Sequence, residues 1–302
     1  MRVRVGSRQL QVLRLLFTHR LLTAAQVQAL AFETATRRTC EICLQRLHRK
    51  GWVVRAEPLH GGAGGGRSGY VYGLSAAGAD VLVALAGIPL ADIPTVAGPE
   101  ALEPRYVNHQ LAVNRCMLAI RQACQADPGA TLREWRADPH ARVRYQVGRS
   151  WRTVHPDAIA EIDVDGRRRW IYLEVDRGTA ELRRYGLKLR RYARFCLSGS
   201  WRREYATFPE VRIVTAHRPR VLRMLAEVED AVRRFDRAEH DALVAGFVVA
   251  VTWEAAFLAN PSGAVWTPMF VPDREESLLP TDAASVRPPG DIDSGLRTSA
   301  DT

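Results

Sequence analysis

The stretch His155-Pro156-Asp157-Ala158-Ile159-Ala160-Glu161-Ile162-Asp163-Val164-Asp165-Gly166, followed by Trp170-Ile171-Tyr172-Leu173-Glu174-Val175-Asp176, decides the fold of this chain. Two apolar runs flank Asp165-Gly166, and a tight turn needs the positive φ that glycine adopts at no cost. The pattern therefore predicts a β-hairpin over about 156–164 and 169–176. Such a hairpin sets Asp157 beside Glu174, which follows it by 17 residues. Paired carboxylates hold Mg²⁺ or Mn²⁺, and a bound divalent ion lowers the pKa of water and neutralises charge growing on a phosphate. Asp176 lies two residues beyond Glu174, so on a strand it points to the same face and deepens the negative well. Asp157, Glu174 and Asp176 are the candidate metal ligands.

Working outward, Val107, Leu111 and Leu118 predict a helix over about 105–125, with strands near 132–135 and 142–147. Gly178-Thr179 stops the second hairpin strand and caps a helix of about 180–196, where Leu182, Tyr185, Leu189 and Tyr192 share a face. A strand at 211–215, a helix from Arg218 to about Phe235 and a strand at 247–252 follow. This order predicts an α/β (α+β) domain over 105–271, a mixed sheet flanked by helices with a crossover helix joining parallel strands. Glu161 and Asp163 are in phase with Asp157 and are candidate supporting groups, whereas His155 falls on the opposite face.

Before this domain, residues 1–87 read as a winged helix-turn-helix. Leu10, Leu13 and Phe17 mark a helix over 7–19. Thr23 caps a second with Val27 and Leu30 inward, and a third runs from about Thr34 to Lys50 with Ile42, Leu44 and Leu47 inside. Strands near 52–54 and 70–74, separated by a Gly-rich loop, form the wing. The third helix turns Arg37, Arg38, Arg46, Arg49 and Lys50 outward, and the loop carries Arg67. These six are the candidate contacts to double-stranded DNA, where Lys and Arg meet phosphate without reading sequence. Cys40 and Cys43 have metal-knuckle spacing but no second pair, which reads as small core residues on a helix. A Pro- and Gly-rich linker is expected at 88–104.

Composition agrees with a nucleic-acid partner. The net charge is +10 and the pI about 9.9. Residues 1–98 and 99–271 each carry a net of +7, while 272–302 carry −4 and are rich in Pro, Ser, Thr and Asp, so a disordered acidic tail is expected there. Five scattered cysteines suit a reducing cytoplasm. No signal peptide is evident after Met1, and no apolar run is long enough to span a membrane. The glycines at 61–66 lack the Lys-Ser/Thr of a phosphate loop, and no Ser-His-Asp arrangement emerges. Tryptophans at 135, 151, 170, 201, 253 and 266 can pack a core or stack on bases.

The string Pro156-Asp157-Ala158, then Leu173-Glu174-Val175-Asp176-Arg177-Gly178-Thr179, then Lys188 and Tyr192, resembles bacterial replication-relaxation family proteins. The resemblance spans about residues 8–250. It implies a restriction-endonuclease-like PD-(D/E)xK second domain and a DNA-binding protein of a plasmid or integrative mobile element, connected with replication or DNA relaxation. It further implies Lys188 as the catalytic cation, because Asp176 stands where the signature has lysine. A helix starting near Thr179 puts Lys188 roughly 14 Å along its axis, so the helix must tilt for the ammonium to reach; Arg177 and Arg184 are nearer in sequence. Two readings follow: a metal-dependent enzyme that nicks or cleaves DNA, with Asp157, Glu174, Asp176 and Lys188 as catalytic residues, or a non-catalytic transcriptional or replication regulator with a degenerate nuclease-like domain. A relaxase, a replication initiator, a transposase subunit and a second copy in a homodimer are the protein partners considered.

Overall fold

Side-chain oxygens fix the helix starts in the first part of the chain. Thr23 accepts from Gln26 N while the Gln26 side chain returns to Thr23 N at 3.0 Å, a reciprocal capping box. Thr36 and Ser75 cap the following helices by accepting from Thr39 N and Gly78 N. The computed structural model describes residues 4–57, 70–178, 181–270 and 276–279. It divides into two compact units, 1–118 and 119–302.

The first unit runs α1 (Ser7–His19), β1 (Leu21–Thr23), α2 (Ala24–Ala31), α3 (Arg37–Arg49), β2 (Val53–Ala56), β3 (Val71–Leu74) and α4 (Ala76–Ala86). The strands form an antiparallel sheet in the order β1-β3-β2, around a core that includes Leu13, Leu16, Val27, Leu44 and Leu47. Strand β1 was not expected: three residues carry no readable alternation. Ile42, expected inside, is 38% exposed. Cys40, Cys43, Leu44 and Leu47 fill the inward face of α3, and Ile42 lies roughly 200° around the helix from Cys40. The loop with Arg67 lies outside the described residues.

Residues 88–104, expected as a linker, instead form two 3-10 turns and bury Ile93 and Leu102. The next helix, α5 (Pro104–Ala126), spends its first half in this unit. There buried Asn114 donates to the carbonyls of His19 at 3.2 Å and Leu21 at 2.6 Å.

The second unit continues with β4 (Ala130–Ala137), β5 (Val143–Val147), β6 (Ser150–Val154), β7 (Ala158–Val164), β8 (Arg167–Asp176), α6 (Arg183–Leu197), β9 (Glu210–Thr215), α7 (Arg218–Val232), α8 (Arg237–Ala245), β10 (Val249–Trp253), α9 (Glu254–Ala259), β11 (Ala264–Pro268) and β12 (Glu276–Ser277). Its mixed sheet has the order β12-β11-β10-β9-β8-β7-β4, and β5 and β6 form a separate hairpin. Strands β8, β9 and β10 are parallel, and the remaining neighbours in the sheet are antiparallel. The β7–β8 turn is the expected one, with Asp165 at φ 51° and Gly166 at φ 77°. Alternate residues Trp170 and Tyr172 of β8, Val211 and Ile213 of β9 and Val249 and Val251 of β10 join α6, α7 and α8 in one core. Gly186 lets α6 approach α7, since a Cβ there would stand 2.5 Å from that of Ala231.

Part of the expected tail is ordered. Strand β12 pairs with β11, and Leu278 and Leu279 are buried. Apolar Leu278-Leu279 outweighs the polar composition around it; the other residues of 272–302 lie outside the described set. Among the described residues no helix is long and apolar enough to cross a membrane.

Candidate active site

At the carboxyl end of β8, Glu174 and Asp176 point to the face that packs against α6 and α7, as the period of a strand requires. Both are buried, at 1% and 2% exposure, so each must find partners. Their partners differ. Glu174 takes the Lys188 ammonium on Oε2 and the Tyr192 hydroxyl on Oε1, both in very short contacts. Asp176 takes the Arg220 guanidinium through Nε and, at 3.1 Å, a second nitrogen, and accepts from Gly178 N at 3.0 Å.

Asp157 stands just before β7, where its N–H donates to the Leu173 carbonyl at 3.0 Å. Its Oδ2 accepts from Val175 N at 2.7 Å, which places the carboxylate beside Glu174 across the hairpin. Its Oδ1 lies 4.0 Å from Lys188 Nζ. One lysine therefore bridges the two acids. Asp157 and Lys188 keep 21% and 30% side-chain exposure, so the cluster opens to solvent at its Asp157–Lys188 edge.

Burial is the main influence on Glu174, and the nearby Asp157 charge adds to it; together they overcome Lys188 and Tyr192 and raise its pKa to about 7. Burial disfavours the Lys188 charge, but Glu174 and Asp157 outweigh it and hold the ammonium above the ordinary lysine value. The Tyr192 and Tyr185 hydroxyls are pushed up, first by burial and then by the surrounding carboxylates. The site thus holds a cation that stays charged next to a carboxyl that titrates near neutrality.

The structure brings together Asp157, Glu174 and Lys188, and it places Asp176 in a separate pair with Arg220. The geometric objection to Lys188 disappears because α6 starts at Arg183 rather than near residue 180, which leaves Lys188 roughly 7.5 Å along the helix. Arg177 is held by Glu254 at 2.7 Å, and Arg184 lies exposed. Glu161 and Asp163 pair with Arg168 at 3.5 Å and Arg133 at 3.3 Å, and His155 meets Asp138 at 2.7 Å. Thr179 lies outside the described residues. Sequence reasoning missed Arg220 altogether, and it placed Tyr192 beside Lys188 in the family string without giving it a role. Its place four residues after Lys188, one turn on along the same helix face, is what brings both to the same acid.

In the first unit, Arg37, Arg38, Arg46, Arg49 and Lys50 are all exposed on or just after α3. Arg37 pairs with Glu41 at 2.9 Å, and Lys50 stands 4.2 Å from the centre of the Trp52 ring. Cys40 and Cys43 are free and buried, and burial pushes the Cys40 thiol up to about 11.

A family model for replication-relaxation proteins matches residues 13–211. The chain belongs to the replication-relaxation family. That match takes in the candidate site from Asp157 to Tyr192. Two solved structures of the restriction endonuclease FokI, one of them bound to DNA, align with 9% and 10% identity and TM-scores of 0.24 and 0.25. Each alignment covers 84% of this chain and 43% of the FokI chain, so the chain spans less than half the length of those proteins. No curated protein matches it.

Proposed function

We propose that this replication-relaxation protein is a DNA-associated phosphodiesterase of a mobile element, with Asp157, Glu174 and Lys188 as its working residues. The observation that carries this reading is the convergence of Lys188 on Asp157 and Glu174, from a different element than the signature lysine would occupy. An ammonium at that place supplies what Asp176 cannot: positive charge for a phosphate gaining negative charge. Arg220 removes Asp176 from the ligand set by taking both its oxygens.

Among the described residues no group of three or more His, Cys, Asp and Glu is arranged to hold a metal. The oxygen donors of Asp157 and Glu174 nevertheless fit Mg²⁺, which commonly takes one or two carboxylates and completes its shell with water and substrate phosphate. A bound divalent ion would activate water and neutralise phosphate charge. Lys188 and Tyr192 fill both Glu174 oxygens, so Lys188 must turn from Glu174 toward the phosphate as substrate enters. The solvent-open edge at Asp157 leaves room for that turn. DNA affinity then comes from the winged helix of the first unit, through Arg38, Arg46, Arg49 and Lys50.

That same saturation of Glu174 favours a second reading, a regulator whose site is closed by its own lysine. Incubating the purified chain with supercoiled plasmid and Mg²⁺ or Mn²⁺ separates the two. The enzyme reading expects nicking that Asp157→Ala abolishes and Lys188→Ala slows by about 10²–10³-fold, the loss seen when one preorganised stabilising group is removed, with duplex binding retained by both. Nicking that survives Asp157→Ala belongs to a contaminant, and absence of nicking under all metals leaves the regulator.

A further inference from the structure

Trp151 is the one exposed tryptophan of the seven in the chain, at 58%. Trp170, Trp201 and Trp266 are buried, and the other three are half-buried. Burying so large an apolar ring is strongly favourable, and a ring left in water on a short hairpin marks a contact surface. Trp151 lies on β6, paired with Gln146 on β5, and the Arg144 guanidinium stands over it at 4.9 Å.

Beside the ring is a cleft of about 760 Å³, lined among others by Tyr145, Arg152, Arg191 and Arg194. Its two acids are already engaged. Asp236 caps α8 by accepting from Glu239 N at 2.8 Å, and Glu239 is held by Arg190 and Arg194, each at 2.6 Å. Among the described residues Arg152 and Arg191 have no carboxylate partner, so the cleft presents uncompensated positive charge next to an exposed aromatic plane. Arg191 follows Lys188 by three residues, roughly one turn along α6 and on the same side. Arg191 therefore joins the basic cleft to the side of α6 that carries Lys188.

We propose that the β5–β6 hairpin and this face of α6 bind unpaired DNA, with Trp151 stacking on a base and Arg152 and Arg191 taking phosphates of the strand that reaches Lys188. The inference rests on the nucleic-acid reading above and narrows its substrate. Stacking needs a free base face, which a single strand offers and an intact duplex hides, while the guanidinium groups follow the backbone without regard to sequence.

The test is a titration of the full chain, in EDTA, with a dT oligonucleotide of about twelve nucleotides and with a duplex of equal length. It is run in an Arg37→Ala/Arg38→Ala background that weakens the first unit's contribution. The oligonucleotide should quench intrinsic tryptophan fluorescence. Trp151→Ala should lose that quenching and about tenfold in affinity, whereas Trp151→Phe should stay within about threefold of the parent. Arg152→Gln with Arg191→Gln should lower the salt slope by about 1.4, from roughly 0.7 per phosphate on a single strand. Unchanged affinity in Trp151→Ala, or equal losses in the Ala and Phe variants, overturns the proposal. Binding of the duplex alone overturns it too and leaves the proposed function standing. Binding of neither, by this chain or by the parent with Arg37 and Arg38 intact, removes both.

Discussion

Two carboxylates on the neighbouring strands β8 and β9, Glu174 fully and Glu210 largely buried, meet opposite fates. Glu174 shares one lysine and one tyrosine with a second acid beside it, and its pKa rises to about 7. Glu210 is gripped by Arg169 and Arg212, each at 2.6 Å, and although burial opposes its charge the two guanidinium groups lower its pKa to about 2. Both centres are ionic and lie largely buried in one sheet, so neither burial nor charge alone marks a site. What separates them is compensation. Glu210 is surrounded by more positive charge than it needs, which fixes it permanently. Glu174 has one cation for two acids and a route to solvent, which leaves it able to change partners.

This contrast predicts its largest effect at the closed centre. Glu210→Ala removes the carboxylate that two arginines share and should cost about 3–5 kcal/mol, the usual penalty for breaking a largely buried pair from one side. Chemical denaturation would read it, and a loss below about 1 kcal/mol would equate the two centres. The acid limb follows in the same direction. Glu210 binds its proton later than an unfolded glutamate, so its contribution is present above about pH 4.5 and drains away as pH falls toward about 2.

Glu174 should show the opposite sign. Its folded pKa lies above the ordinary glutamate value, so the native state keeps a proton that the unfolded chain releases. Stability from this group therefore falls as pH rises from about 4.5 to about 7. Glu174→Gln should flatten that limb in melting curves taken between pH 5 and 8, and a variant that steepens it would show that Lys188 governs the balance instead.

The smallest effect expected lies in the first unit, where charges stand in water. Arg38→Ala should leave the melting temperature within error and reduce the salt slope of duplex binding by about one. An unaltered slope would detach α3 from the phosphate backbone.

The hairpin and its acids were legible because period-two alternation and Asp165-Gly166 are local signals. The cap at Thr23 was legible for the same reason. Arg220 was not, because it meets Asp176 from 44 residues away and nothing near it in sequence announces the pair. Strand β6 and helix α8 were missed where polar residues on an exposed face diluted the pattern. The range of Lys188 was misjudged for a simpler reason: it depended on where one helix begins, and helix ends shift by a few residues for reasons that periodicity does not register.

The two-residue strand β12 has a practical side. Leu278 lends its carbonyl to Arg169 at 2.7 Å, so the segment just after this strand closes the Arg169–Glu210–Arg212 centre from outside. A chain trimmed at residue 270 would bare the unpaired edge of β11 and unseat that arginine, leaving a template on which neighbouring molecules add strands.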